Sequence, residues 1–337
     1  MQRYVIQRLI LAIPTILAIS ILTFVGLRVA LPQDVIDTIV GEFGRNDPVL
    51  RENLKKELGL NGSIPKQYLE YMGVLQTCVR RDIEGNCLES KFSGVLEGNL
   101  GKSLHNGRSV TSELKRRVPI SFELGLWAQL TAVAAAVPLG VWAAVQQDRF
   151  PDYGLRTIAI LLNAVPSFWI AVLVITFGSI WFNWAPPIKF KTLTEDPIAH
   201  LKIMLTPAII IGLTPSGGLI RLVRTQMLEV LRQDYVRTAQ AKGLSSATVF
   251  YKHALRNALI PVVTVIGVGL PGIIAGTVIF EQIFVIPGMG RYLVDSVNIR
   301  DYPVIQGLNL VFATLLIVSV ILVDISYSFL DPRIRYR

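Results

Sequence analysis

The chain has 337 residues, 52% of them hydrophobic and only 17% charged, with a formal net charge of +9. Apolar runs recur at lengths that no soluble core requires, which excludes an ordinary soluble domain. The basic excess is not a nucleic-acid footprint, because no basic patch is interleaved with exposed aromatics on a soluble domain.

Uncharged stretches run from Leu9 to Leu27, Leu124 to Gln147, Thr157 to Ile188, Ile203 to Ile220, Asn257 to Phe280 and Tyr302 to Val323. Each can supply the ~20 residues of helix that cross a hydrocarbon core, so six spans are expected, with both termini on one side. Arg3 and Arg8 before the first run imitate a signal peptide. The run is too long for a typical h-region, and Arg28-Val29-Ala30-Leu31 offers no small-x-small site, so it is expected to stay as a first span. Arg28 then snorkels toward the interface.

Residues 32 to 118 carry 13 basic and 12 acidic side chains and form the only sizeable soluble piece. Asp47 to Leu58 reads as a polar helix ended by Gly59, and Pro65 to Leu75, with Tyr68 and Tyr71, as another. Cys78 and Cys87 come next. On an oxidising face they read as a disulfide closing a small loop, with two free thiols as the other reading; no histidine or third cysteine lies close enough for a zinc site. Gly101-Lys102-Ser103 imitates the end of a phosphate-binding loop, but the glycine needed five residues earlier is Leu96.

In the later spans Trp181 and Trp184 stand where an aromatic belt would place them. Pro138, Pro166, Pro207, Pro215, Gly217, Gly218 and Pro271 mark sites for kinks or for close packing. Gly267, Gly269 and Gly272 make a formal GxGxxG, but it sits inside an apolar run without strand-to-helix context. Glu123, Glu281 and Asp324 fall at or inside span ends. Each should face a cavity, water or a partner, so they are candidates for a pathway lining, with interfacial solvation or helix-packing ion pairs as the other reading. Pro287, Gly288, Met289 and Gly290 form a turn-rich element beside Glu281.

Between the fourth and fifth runs lies the basic segment LEVLRQDYVRTAQAKGLSSATVFYKHALRNALIP, Leu228 to Pro261. Asp234 can cap a short helix, Gly243 breaks it, and Ser245 or Ser246 can cap a second. Thr238, Ala239, Gln240 and Ala241 keep the surface small, so that a partner backbone can approach and a bulky residue at Ala239 would obstruct it. Fourteen cations lie on the side that includes this segment and both termini, against Asp148, Asp152, Glu229, Asp234 and Asp331. The positive-inside rule makes that side the cytoplasm. His105, His200 and His253 fall in three separate loops, and no HExxH or nucleophile elbow is present, so no catalytic or metal constellation is expected.

The run YVRTAQAKG followed by HALRNALIP resembles the cytoplasmic coupling loop of binding-protein-dependent ABC importers, in the variant of the dipeptide and oligopeptide permeases. Arg237, Thr238 and Arg256 depart from the general Glu-Ala-Ala pattern. QRYVIQRLILAIPT, ELGLNGSIPKQYLEY, RRVPISFELGLWAQL, PLGVWAAVQQDRFPD, VPSFWIAVL, FEQIFVIPGMGRYL, RDYPVIQG and VDISYSFLDPRIRYR extend the resemblance over nearly the whole chain, apart from an insert at about 77–92.

The resemblance implies an all-α integral membrane protein of the type I permease fold. It would have a first helix over 1–31, an extracytoplasmic α-rich insertion over 32–118, a five-helix core over 119–331 with a coupling loop at about 228–258, and a cytoplasmic tail over 332–337. It implies that Asp234, Tyr235, Arg237, Thr238, Ala239, Ala241, Lys242, Gly243, His253 and Arg256 meet an ATPase partner. It also implies a related second permease subunit in a heterodimer, two ATPase subunits that use ATP and Mg, a substrate-binding protein or lipoprotein, and a peptide cargo. The chain itself is expected to bind no cofactor and no nucleic acid. Nickel chelates or glutathione are the alternative cargo, and an intramembrane enzyme is the alternative class.

Overall fold

A computed structural model of the chain describes residues 2–30, 48, 52, 62–81 and 87–330. The greater part of the helix expected over Asp47 to Leu58, the tail beyond Leu330 and the side chain of Asp324 lie outside the described residues. Two units are distinguished: residues 2–118 with 292–318, and residues 119–291 with the segment from 319 onward.

In the first unit α1 covers Gln2–Ala30 and α2 covers Ile64–Met72. Phe24 is buried where the two helices meet, with its ring 5.4 Å from Tyr68 and 5.5 Å from Tyr71. Gln76–Arg81 (β1) and Cys87–Phe92 (β2) then pair antiparallel, with Gln76 opposite Phe92 and Arg81 opposite Cys87. This hairpin is a small β element that the expectation of an all-α chain did not include. Every residue of β2 is exposed, so the strand buries no alternate face and leaves no period-2 pattern to read. A disulfide between Cys78 and Cys87, with Cα atoms 5.7 Å apart, ties the strands together. Farther on, Asp301 accepts hydrogen bonds from the Ser103 hydroxyl at 2.5 Å and the Leu104 amide at 3.1 Å. Lys102 bridges Ser109, so the Gly101-Lys102-Ser103 run is part of a loop pinned to Asp301.

In the second unit α3 (Val110–Val145, from Pro119 onward) and α6 (Pro197–Leu231) are the long elements. The Asp196 carboxylate caps α6 by accepting from the Ala199 amide at 3.0 Å. Leu124 and Ala128 of α3 pack with Met204, Ala208 and Ile211 of α6, and Ala132 and Ala136 pack with Leu219 and Ile220. Small residues on one side of each pair allow this close approach.

The run from Thr157 to Ile188 does not form one straight helix. It divides into α4 (Phe150–Ala164) and α5 (Ser167–Phe182), bent by 95°. Pro166 removes a backbone donor and keeps Val165 out of the helical region, at φ −94° and ψ 127°. Four helical stretches are each long and apolar enough to cross a membrane, namely Ile6–Val29, Val110–Val145, Pro197–Leu231 and Tyr302–Val323, and the bent pair makes up to five among the described residues. Further helices are α7 (Asp234–Ala241), α8 (Arg256–Ile283), α9 (Met289–Asn298) and α10 (Tyr302–Leu330).

Candidate functional site

The segment after α6 is built around one buried edge. Gln233 occupies the N-cap of α7 with extended backbone and no side-chain bond, and Asp234 is the first helical residue rather than the cap. Its carboxylate favours the helix N-terminus and stands 3.7 Å from Arg237 on a solvated surface, where such a pair adds little. Val236 and Ala239, three residues apart on one face, pack with Val249 and Val230.

Ala239 is only 8% exposed, which corrects the expectation that it offers a small surface to a partner. A bulky residue there would first overpack the chain's own cluster. The face turned outward carries Asp234, Tyr235, Arg237, Thr238, Ala241, Lys242 and Gly243.

Gly243 ends α7 at φ +76°, the left-handed region, and its amide bonds to the Gln240 carbonyl at 2.9 Å. No atom lies within 4 Å of where its Cβ would be, so the demand for glycine is conformational. The Ser245 hydroxyl then accepts from the Thr248 amide at 3.3 Å and starts a helical turn at Ser246–Thr248. This turn passes through a π-helical stretch, Val249–Leu255, into α8. The second helix of the expected pair is therefore the first part of the next long helix. Five-residue hydrogen bonding of this kind is rare and concentrates at functional positions.

Tyr235 locks the two arms together. Its hydroxyl accepts from the Asn257 amide group at 2.9 Å and donates to the His253 carbonyl at 3.4 Å. His253 lies in the π-helical stretch, and His200 lies in the first turn of α6, so neither is a loop residue as expected. Arg256 and Lys252 are exposed beside Tyr251, which is 66% exposed, and Leu244, which is 43% exposed. Reading for charge and small residues missed Leu244 and Tyr251. The signal was present in two large apolar side chains at positions with no core to enter.

Glu123 and Glu281 part company. Glu123 on α3 meets His200 Nε2 at 2.7 Å and accepts from the Trp127 indole at 3.3 Å. His200 Nδ1 lies 2.8 Å from the Lys191 carbonyl, which can only accept. Nδ1 is therefore the donor to that carbonyl, and Nε2 is the nitrogen that faces Glu123.

Glu281 is wholly buried. Its carboxylate accepts from the Thr277 hydroxyl at 2.9 Å and the Arg291 amide at 3.1 Å. Ser121 also bonds it and accepts from the Met289 amide at 2.8 Å. The expected mouth turn is thus folded onto a buried carboxylate. Val285, β-branched and at φ +58°, is held in this turn while its carbonyl accepts from the Arg291 guanidinium at 3.1 Å. A Cβ at Gly288 would fall on the Glu281 carboxylate and the Ser121 hydroxyl. Gly288→Ala is expected to cost about 1–3 kcal/mol through overpacking, read as a lower Tm of the purified protein. An unchanged Tm would mean that the carboxylate moves aside freely.

A buried ion pair that sequence reading treated only as topology charges joins α4 to α6. Asp152 is wholly buried, and its two oxygens receive Arg224 Nε and Nη2 at 2.6 Å each. Seventy-two residues separate the partners, so no local pattern could pair them.

Two family models cover the chain. Residues 136–336 match the binding-protein-dependent transport system inner membrane component, and residues 1–125 match the binding-protein-dependent transport system membrane component, N-terminal part. The di/tripeptide transport system permease protein of Pseudomonas aeruginosa is 36% identical over the full length of both chains. The dipeptide transport system permease protein of Escherichia coli is 35% identical, again over the full length of both. The dipeptide transport system permease protein of Bacillus subtilis is 38% identical over 99% of this chain and 98% of that one. The chain belongs to the family of binding-protein-dependent transport system inner membrane components.

Proposed function

We propose that this chain is a permease subunit of an ATP-driven importer of dipeptides or oligopeptides, working beside a related second permease subunit. The observation that carries this reading is the end-to-end similarity to permeases named for di- and tripeptides. In this arrangement six spans cross the membrane, both termini are cytoplasmic and residues 32–118 lie outside, where a binding protein or lipoprotein delivers peptide. Two ATPase subunits supply the energy with their own ATP and Mg.

The segment 228–258 is the docking site for one of them. Leu244 and Tyr251 are exposed apolar anchors, and Arg232, Arg237, Lys242, Lys252 and Arg256 are exposed in the same segment, a pattern that suits a partner groove with an apolar floor and an acidic rim. Closure of the ATPases pushes on α7. The shared edge of Val236, Ala239 and Val249 and the Tyr235–Asn257 bond pass the push to α8, which favours one access state over the other.

The test is uptake of a radiolabelled dipeptide into proteoliposomes holding the co-purified complex. Uptake that requires both ATP on the cytoplasmic side and an external binding protein is the expected result. Uptake of a nickel chelate or glutathione in preference to any dipeptide would move the chain to another cargo, and uptake without ATP would end the reading.

A further inference from the structure

The first unit contains a half-open cavity of about 480 Å3, bounded by the outer end of α1, by α2, by the disulfide-tied hairpin and by the loop after it. Arg28 lines it. The Nε atom of this side chain is sealed from solvent and has no hydrogen-bond partner among the described residues, and the guanidinium is placed by its cation–π contact with the Phe24 ring, 5.3 Å away. Three charged side chains line the cavity among the described residues: Arg28, Lys66 and Glu70. Lys66 and Glu70 pair with each other at 3.9 Å. Within that lining one positive charge is left without a counterion, in a wall where an unsatisfied guanidinium is costly.

We propose that this cavity binds the free C-terminal carboxylate of a short peptide, with Arg28 as its anchor. The inference rests on the peptide-import reading above and names a point of substrate contact within it. A carboxylate carries one negative charge and two oxygens, which match the planar fork of the guanidinium that lines the cavity.

The remaining walls suit the backbone and side chain of a terminal peptide residue. The Gln76 carboxamide accepts from the Ser90 hydroxyl at 2.9 Å, and the Asn99 carboxamide donates to the Ser93 hydroxyl at 2.7 Å. These groups are held in position without external help, so they offer a polar surface that costs little to order. Burial raises the Tyr71 phenol above its usual pKa, so it stays a neutral donor beside an apolar ring face. Phe24 and Tyr71 give an apolar patch for one side chain.

The experiment compares trialanine with trialanine amide, measuring binding by calorimetry to the full chain with its co-purifying subunits in lipid nanodiscs, without ATP or binding protein. Trialanine is expected to bind at least tenfold more tightly than the amide. Arg28→Gln is expected to abolish that difference, Arg28→Lys to keep part of it, and inorganic phosphate at the concentration of trialanine not to compete. Equal binding of acid and amide to the unaltered protein would overturn the proposal, as would an unchanged acid preference in Arg28→Gln or competition by phosphate. The comparison on unaltered protein needs no variant, so it decides even where Arg28→Gln fails to fold. Because no ATP is present, loss of ATP-driven uptake and loss of the acid preference are separate results. The first strikes at the import reading and the second at this site.

Discussion

Asp152→Ala is expected to destabilise the protein by about 3–5 kcal/mol, because it leaves the largely buried Arg224 guanidinium without its counterion. The pair is bidentate, with both contacts at 2.6 Å, and Asp152 also accepts from the Asp148 amide at 3.0 Å in the turn that opens α4. Asp148 takes a left-handed conformation there, φ +60°, which aspartate tolerates better than most residues. Thermal unfolding in nanodiscs measures the loss. Arg224→Ala should cost a similar amount, and the pair Asp152→Leu with Arg224→Met should recover much of it, since an apolar pair of similar volume removes both charges from the interior. A Tm for Asp152→Ala equal to that of the unaltered protein would show that α4 and α6 do not depend on this contact.

The second large effect is expected at Gly243. Proline fixes φ near −65°, whereas the turn uses +76°, so Gly243→Pro should redirect the chain after α7. The position has open space around it, and the long helices should keep their Tm close to the starting value. ATP-driven peptide uptake should fall at least tenfold while ATP hydrolysis continues. Ala239→Trp should also abolish uptake, but with a lower Tm, because Ala239 lies in the cluster with Val236 and Val249. Comparing the two variants separates the shape of the docking surface from the packing beneath it. Wild-type uptake in Gly243→Pro would count against docking at this segment.

Long apolar runs were legible because a membrane helix announces itself by composition over about 20 residues. The Thr157 to Ile188 run hid its break for the same reason. Composition sees one apolar block, whereas Pro166 acts on a single backbone donor and on Val165. The hairpin at Cys78 and Cys87 escaped because its strands are held by backbone pairing and a crosslink, with every residue of β2 exposed. In the segment after α6, the break at Gly243 could be read from residue type. The burial of Ala239 depends on Val249, ten residues farther along and beyond a turn, so the small residue read as surface. Glu281 was singled out as a charge near a span, but its donors are hydroxyls and backbone amides that the fold brings back to it, and Gly288 was the trace left in the sequence.

The π-helical stretch at Val249–Leu255 has a consequence for the register of everything before it. A π-turn accommodates one residue more than the α-helix around it, so it behaves as an insertion absorbed without a loop. Deleting a single residue there would let the rod close into regular α-helix, and the Gly243 elbow would keep nearly its place around the axis of α8. One residue of length can therefore be lost or gained at this point while the segment before it keeps the face it presents.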